Sequence, residues 1–351
     1  MSYTNGLDKP DEYFNTKLYT GNGGTLVNTG VGFQPDFVWL KNRQNDYFHA
    51  LYDSVRGTGN TKSIVSNNAD AEGASSIYHN LTAFNSDGFS LGTTSDINTI
   101  NTNAENHVAW NWKAGGTASS NSNGSITSSV SANTDAGFSI VSYTGTGNDP
   151  ETIGHGLGVT PSMIIVKDRN TAGGWRVYHK SVGNDKVLAL DGTIAGTASD
   201  AWNSTTPTPS LFTVGNDTIT NGNGTTHIAY CFAEKQGYSK FGSYTGNGNA
   251  DGTFIYLGFK PAWLLIKETT QTRNWVLYDN KRVGYNPNQY EFLPDTSNAE
   301  DTSTTKVDLL SNGFKIRASH STVNQSGETY IYMCFASNPF VTSTGVPATA
   351  R

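Results

Sequence analysis

Pro161-Ser-Met-Ile-Ile-Val-Lys167 is apolar at consecutive positions, entered by a proline and ended by a lysine. The run is too short and too β-branched for an independent helix, so it reads as a strand covered on both faces. Proline suits the first position of such a strand, where no ladder donor is lost. The same phrase stands at Pro35-Asp-Phe-Val-Trp-Leu-Lys41 and at Pro261-Ala-Trp-Leu-Leu-Ile-Lys267. A tyrosine follows each proline at a spacing of 17, as Tyr52, Tyr178 and Tyr278. Identical spacing filled by different residues marks an internal repeat.

The repeat extends in both directions. Each copy opens on a tyrosine turn: Tyr19-Thr-Gly-Asn-Gly23, Tyr143-Thr-Gly-Thr-Gly147 and Tyr244-Thr-Gly-Asn-Gly248. Each closes on an alternating segment: His107-Val-Ala-Trp-Asn-Trp112, His227-Ile-Ala-Tyr-Cys-Phe232 and Tyr330-Ile-Tyr-Met-Cys-Phe335. The alternation predicts a half-buried antiparallel strand with Val108, Trp110 and Trp112, or their counterparts, on the bulky face. The prolines lie 126 and 100 residues apart, far above the ~20–50 residues of a solenoid repeat. No segment keeps an apolar period of 3.6. The predicted fold is therefore all-β: three tandem antiparallel β-sandwich, jelly-roll-like domains at 1–116, 117–237 and 238–351.

The junctions differ. Gly115-Gly-Thr-Ala-Ser-Ser-Asn-Ser-Asn-Gly124 reads as a flexible linker, and Ser125–Ser131 as an extra edge strand of the second unit. Only Ala233–Gly237 separates the second and third units, so these two are expected to abut rigidly, with the first attached more loosely. Leu7–Phe14 reads as an anchoring peptide or a first strand. The polar middle of each unit (roughly 58–86, 184–210 and 285–311) is expected to form long surface loops, where binding usually sits.

Composition agrees and excludes several classes. Hydrophobic residues are 35% and aromatics 11% of 351 residues, but charged residues only 15%, against roughly 25% in an ordinary domain. Low charge with many aromatics opposes both disorder and a helix-rich protein. The net charge is −6 and no Lys/Arg run exists, so no basic stripe is available for nucleic acid. No apolar stretch approaches the ~20 residues of a membrane span. The N-terminus lacks the pattern of a secretory signal, which predicts synthesis in a reducing cytoplasm.

No cofactor, metal or catalytic residue is predicted. Cys231 and Cys334 hold equivalent places in two repeats, where a disulfide is not expected and a packed small side chain is. His107 and His227 recur at one strand start, but the third copy has Tyr330, an exchange no metal ligand would survive. Ile153-Gly-His-Gly-Leu-Gly158 looks like a dinucleotide loop but leads into a strand, not a helix. Asp70, Glu72, Asp295, Glu300 and Asp301 lie in the middle loops, and no acid pair recurs among the repeats as a glycosidase would need. Trp175 and Trp275 share a position, held by His49 in the first copy, and read as core. Trp202, in the polar loop Asp200-Ala-Trp-Asn-Ser204, is the candidate exposed aromatic for ligand binding.

The phrases Gly32-Phe-Gln-Pro-Asp-Phe-Val-Trp-Leu-Lys-Asn-Arg43 and Leu51-Tyr-Asp-Ser-Val-Arg-Gly57, with Tyr19-Thr-Gly-Asn-Gly23 before them, resemble a domain family of tailed, especially marine, bacteriophages. The second unit is similar over Ser125–Gly145 and Val166-Lys-Asp-Arg169, and the third more weakly through Gly258-Phe-Lys-Pro261, Lys267 and Tyr278. Members of that family are tail fibre or virion structural proteins, and the domain carries no assigned catalytic residues. The resemblance implies a virion component, first a tail-fibre or receptor-binding protein that recognises the host surface. A homo-oligomer, by preference a trimer, is expected with other virion proteins as partners. The alternative is a capsid decoration or head-fibre protein, since the repeats begin about 15 residues into the chain and leave little room for an anchor. A glycan-degrading tailspike is the third reading.

Overall fold

The computed structural model describes residues 7–303 and 305–347, and is all-β with several antiparallel sheets. Each repeat builds one main sheet around four shared strands, extended to five strands in the first unit and eight in the second. They are the opening strand (Phe14–Thr20, Phe138–Thr144, Ser239–Thr245), the proline strand (Phe37–Asn42, Met163–Asp168, Phe259–Glu268), the tyrosine strand (Ala50–Asp53, Trp175–His179, Val276–Asp279) and the closing strand (Asn106–Trp112, Thr226–Phe232, Thr329–Pro339). In all three the order is opening, closing, proline, tyrosine. The register is shared too: Val38 faces Tyr52, Ile164 faces Tyr178 and Leu264 faces Tyr278. A smaller antiparallel sheet accompanies each main sheet, made of Leu26–Thr29, Gly88–Leu91 and Leu81–Asn85, of Glu151–Gly154 and Leu211–Val214, and of Phe254–Tyr256, Gly313–Ile316 and Val307–Leu310.

Both faces of each main sheet are covered, as the unbroken apolar proline strands require. On one side each unit has its own core, exemplified by Leu40 with Phe89, Val166 with Phe212, and Leu264 with Phe314. On the other side the three sheets share one central core that includes Trp39 and Trp112, Ile165 and Phe232, and Trp263 and Phe335. Phe37 meets Tyr230 of the second unit at 4.4 Å between ring centroids, and Trp112 meets Trp263 of the third at 5.4 Å. The closing strands lie inside the sheet and are buried on both faces, not half-buried. His107, Ala109 and Asn111 are as buried as the aromatics that alternate with them.

Two further expectations change. Gly115–Gly124 is not a loose linker: Ser119–Asn121 pairs with Ser128–Asn133 and takes the sheet edge. Asp36 accepts from the amides of Ala114 and Gly116 at 2.8 and 3.3 Å, which fastens the crossing to the first unit. The first unit is as firmly held as the others, because it touches both neighbours in the central core. Within the starting segment, Leu7 is buried in that core and Pro10–Glu12 forms a 3₁₀ turn that leads into the opening strand.

Candidate functional site

The tyrosine turns are local scaffolding. The hydroxyls of Tyr19, Tyr143 and Tyr244 donate to the carbonyls of Ile100, Thr220 and Val323 at 2.6 to 2.7 Å. Their rings stack at 5.0 to 5.1 Å on His107, His227 and Tyr330 respectively. This explains why tyrosine can replace histidine there: the position asks for a flat ring, not a ligand. Glycine is required after each Tyr-Thr, since a Cβ on Gly21 or Gly246 would lie 2.2 Å from a backbone oxygen.

The middle segments do not form free surface loops; each grips a neighbouring unit. The next-to-last residue of each proline strand is a lysine that donates to a carbonyl in the middle segment of another unit: Lys41 to Ser297, Lys167 to Ala69 and Lys267 to Thr193, at 3.0 to 3.1 Å. Burial pulls these amines down, Lys41 to about 7 and the other two to about 8. Two residues beyond the lysines, the carbonyls of Arg43, Arg169 and Thr269 accept from the amides of Glu300, Glu72 and Gly196. The indoles of Trp175 and Trp275 donate to Val65 and Ala189 of the preceding unit. Unit one thus grips unit three, three grips two, and two grips one. The ring is closed within a single chain.

Charged groups seal it. Asp53 and Arg56 are fully buried and paired at 2.5 Å, and Asp53 accepts from the Tyr230 hydroxyl of the second unit at 2.8 Å. Asp279 and Arg282 repeat this at 2.6 Å, with the Trp110 indole of the first unit donating to Asp279 at 2.9 Å. Glu72 pairs with Arg169 across one junction and Glu300 with Arg43 across another. These two acids are equivalents, so an acid does recur, and its work is holding units together. Asp295 accepts from Asn274 and is pushed up to about 6 by burial. Asp70 accepts from Asn68, and Asp301 from the amide of Ser303.

Trp202 is not exposed. Its loop folds back so that the indole is 1% accessible and lies edge-on to Tyr178 at 5.9 Å, which removes it as a stacking platform. Cys231 and Cys334 are buried and unpaired, and burial raises both thiols. Among the described residues no group of three or more His, Cys, Asp or Glu is placed to hold a metal, and no helix is long and apolar enough to cross a membrane.

A surface groove with binding geometry lies between the third unit and the start of the chain. Two adjoining cavities, of about 190 and about 480 Å³, share Lys260 and Asn280. Tyr285, 73% exposed, and Ser311 stand in the smaller one, while Asn15, Lys281 and Asn338 line the larger. Sequence reading missed this groove because it is assembled from the start of the chain, the proline strand and the closing strand.

Residues 9–339 match the model of a family described as a domain of unknown function, DUF7483. The chain belongs to that family. No curated protein and no solved structure matches it. The DUF7483 match runs without a break through all three repeats, as does the central core they share.

Proposed function

We propose that this DUF7483 chain is a non-enzymatic structural component of a tailed-phage virion, a tail-fibre or receptor-binding piece that contacts the host surface. The observation that carries the reading is the closed ring of three sheets, sealed by buried Asp–Arg pairs and by reciprocal lysine contacts. Such a scaffold offers few places for local opening, the property a protein exposed outside a cell needs. The resemblance of the repeated phrases to virion proteins supports the same reading. The acids of the middle segments support a non-catalytic role, since Glu72 and Glu300 are occupied by arginines. Weak contacts at single copies would gain strength from copy number on the particle.

Immunogold labelling of intact virions, with mass spectrometry of gradient-purified particles, tests this. Label at the tail is expected. Label on the head would replace the tail reading with capsid decoration, and absence from purified particles would end both.

A further inference from the structure

We infer that the groove on the third unit, between Tyr285 and Asn338, binds a saccharide chain. The inference rests on the proposed host-surface role only for where that saccharide comes from.

Four observations carry it. First, the groove forms at the third unit's place and not at the equivalent places of the other two, with the start of the chain as one wall. The backbone amides of Ser54, Lys180 and Asn280 donate to the carbonyls of Asp36, Ser162 and Ala262, which makes the three places equivalent. In the first unit the Asp36 carboxylate is taken up by the chain crossing, and in the second Lys180 pairs with Glu234 at 2.8 Å. In the third, Asn280 occupies the place and both cavities meet at it. Second, Asn280 stands where the two cavities meet, and its side-chain oxygen accepts no hydrogen bond within the chain, which leaves that acceptor unused.

Third, Tyr285 is held out on a fixed loop. Asn286 exchanges two hydrogen bonds with the backbone of Leu309, at 2.8 and 3.0 Å, and Asn288 donates to the carbonyl of Asp279 at 2.9 Å. A tyrosine presented this way offers a flat apolar face and a polar rim at little entropic cost on binding. Fourth, the lining is rich in amides and hydroxyls, which supply donors and acceptors together. Sugar hydroxyls need both, and a sugar ring's C–H face matches the tyrosine. A nucleic acid is disfavoured, because the chain carries −6 overall and the groove sets Asp8 and Asp11 against Lys260 and Lys281, which leaves no basic stripe for phosphates.

The test uses the full chain on an immobilised panel of bacterial O-chain, capsular and cell-wall oligosaccharides, then titration calorimetry with whichever oligosaccharide is retained. Tyr285→Ala is expected to weaken binding about tenfold or more, as truncating an aromatic anchor does. Tyr256→Ala, which removes another exposed tyrosine outside the groove, is expected to bind as the parent does. Circular dichroism controls for folding, which Tyr285→Ala should not disturb because the ring is exposed. No retained saccharide, or unchanged affinity in Tyr285→Ala, overturns the inference. Retention by a protein absent from virions would sustain the groove and sink the virion reading, so the two fail separately.

Discussion

The second and third units meet through different chemistry from the other two pairs. At the first-to-second and third-to-first junctions, a buried aspartate ends the tyrosine strand and pairs with an arginine three residues on. Each aspartate then accepts a hydrogen bond from the neighbouring unit, from Tyr230 in one case and Trp110 in the other. At the second-to-third junction the corresponding residue is His179. Its Nδ1 accepts from the amide of Ser181 as the aspartates accept from theirs, but its Nε2 lies 3.3 Å from the carbonyl of Tyr332. The direction of the bond across the junction has reversed. The cause is the residue opposite: Met333 stands where Trp110 and Tyr230 stand in the other closing strands and has no proton to give. A neutral donor facing a carbonyl replaces a carboxylate facing a donor.

Removing an aspartate should have the largest effect. Asp279→Ala or Asp53→Ala leaves a fully buried arginine without its nearest partner and strips the loop amides of their acceptor. Breaking one side of a buried pair costs about 3–5 kcal/mol. Urea unfolding should show losses of that size at both positions. A loss under ~1 kcal/mol at either would mean that Glu72 or Glu300, which also face these arginines, already suffices. Trp110→Phe and Tyr230→Phe come next. Each keeps an aromatic ring in the central core; Tyr230→Phe deletes the hydroxyl that bonds Asp53 and lies 3.4 Å from Arg56, worth about 1.5–3 kcal/mol, while Trp110→Phe also shrinks the indole to one ring and leaves a cavity. Trp110→Phe should lose the more of the two, and an equal or smaller loss would show that its hydrogen bond to Asp279 contributes little. Met333→Leu completes the series. It conserves apolar volume and breaks no polar contact across the junction, so less than about 1.5 kcal/mol should be lost.

Much of the fold was legible because its signals are local. The Pro-to-Lys runs, the alternation in the closing segments and the 17-residue spacing report strand, face and register directly. What pulls the units together was not legible, because it couples residues far apart in the chain, such as Trp110 with Asp279 or Lys41 with Ser297. The middle segments look like variable loops for the same reason: their partners lie in another unit. Trp202 illustrates the trap, since polar neighbours in sequence do not prevent a loop from turning its indole onto Tyr178. The groove was hidden partly for that reason, since the start of the chain lines it, and partly for another. It depends on what the third unit lacks, the chain crossing and the Lys180–Glu234 pair that occupy the equivalent places elsewhere. One signal was available: Tyr285 sits between Gly284 and Asn286 in a turn-rich polar stretch, where a large aromatic has no obvious local core.

Acid should act on the buried histidines before it reaches the aspartate. Burial holds the His179 ring down to about 3, below its ordinary value of 6.5, so it is neutral in the folded chain and gains a proton on unfolding. The unfolded state therefore binds more protons in that window. His179's contribution is complete above 6.5 and is lost as pH falls from there toward 3. Burial pushes the Asp279 carboxyl up, but Arg282 and the donors around it outweigh this and hold it below its ordinary 3.8. Its contribution is complete above 3.8 and fails only in stronger acid. Burial likewise holds His49, against Phe292 at the third-to-first junction, well below 6.5, so both histidine-bearing junctions should weaken before the Asp279 carboxyl takes a proton. His179→Gln removes one titrating site from the second-to-third junction, while His79 and His107, which burial also holds down to about 3 and about 4, keep theirs in the first unit. Unfolding free energy plotted against pH should therefore fall less steeply between 6.5 and 4 for His179→Gln than for the parent. Parallel curves would show that His179 does not set the acid sensitivity of its junction.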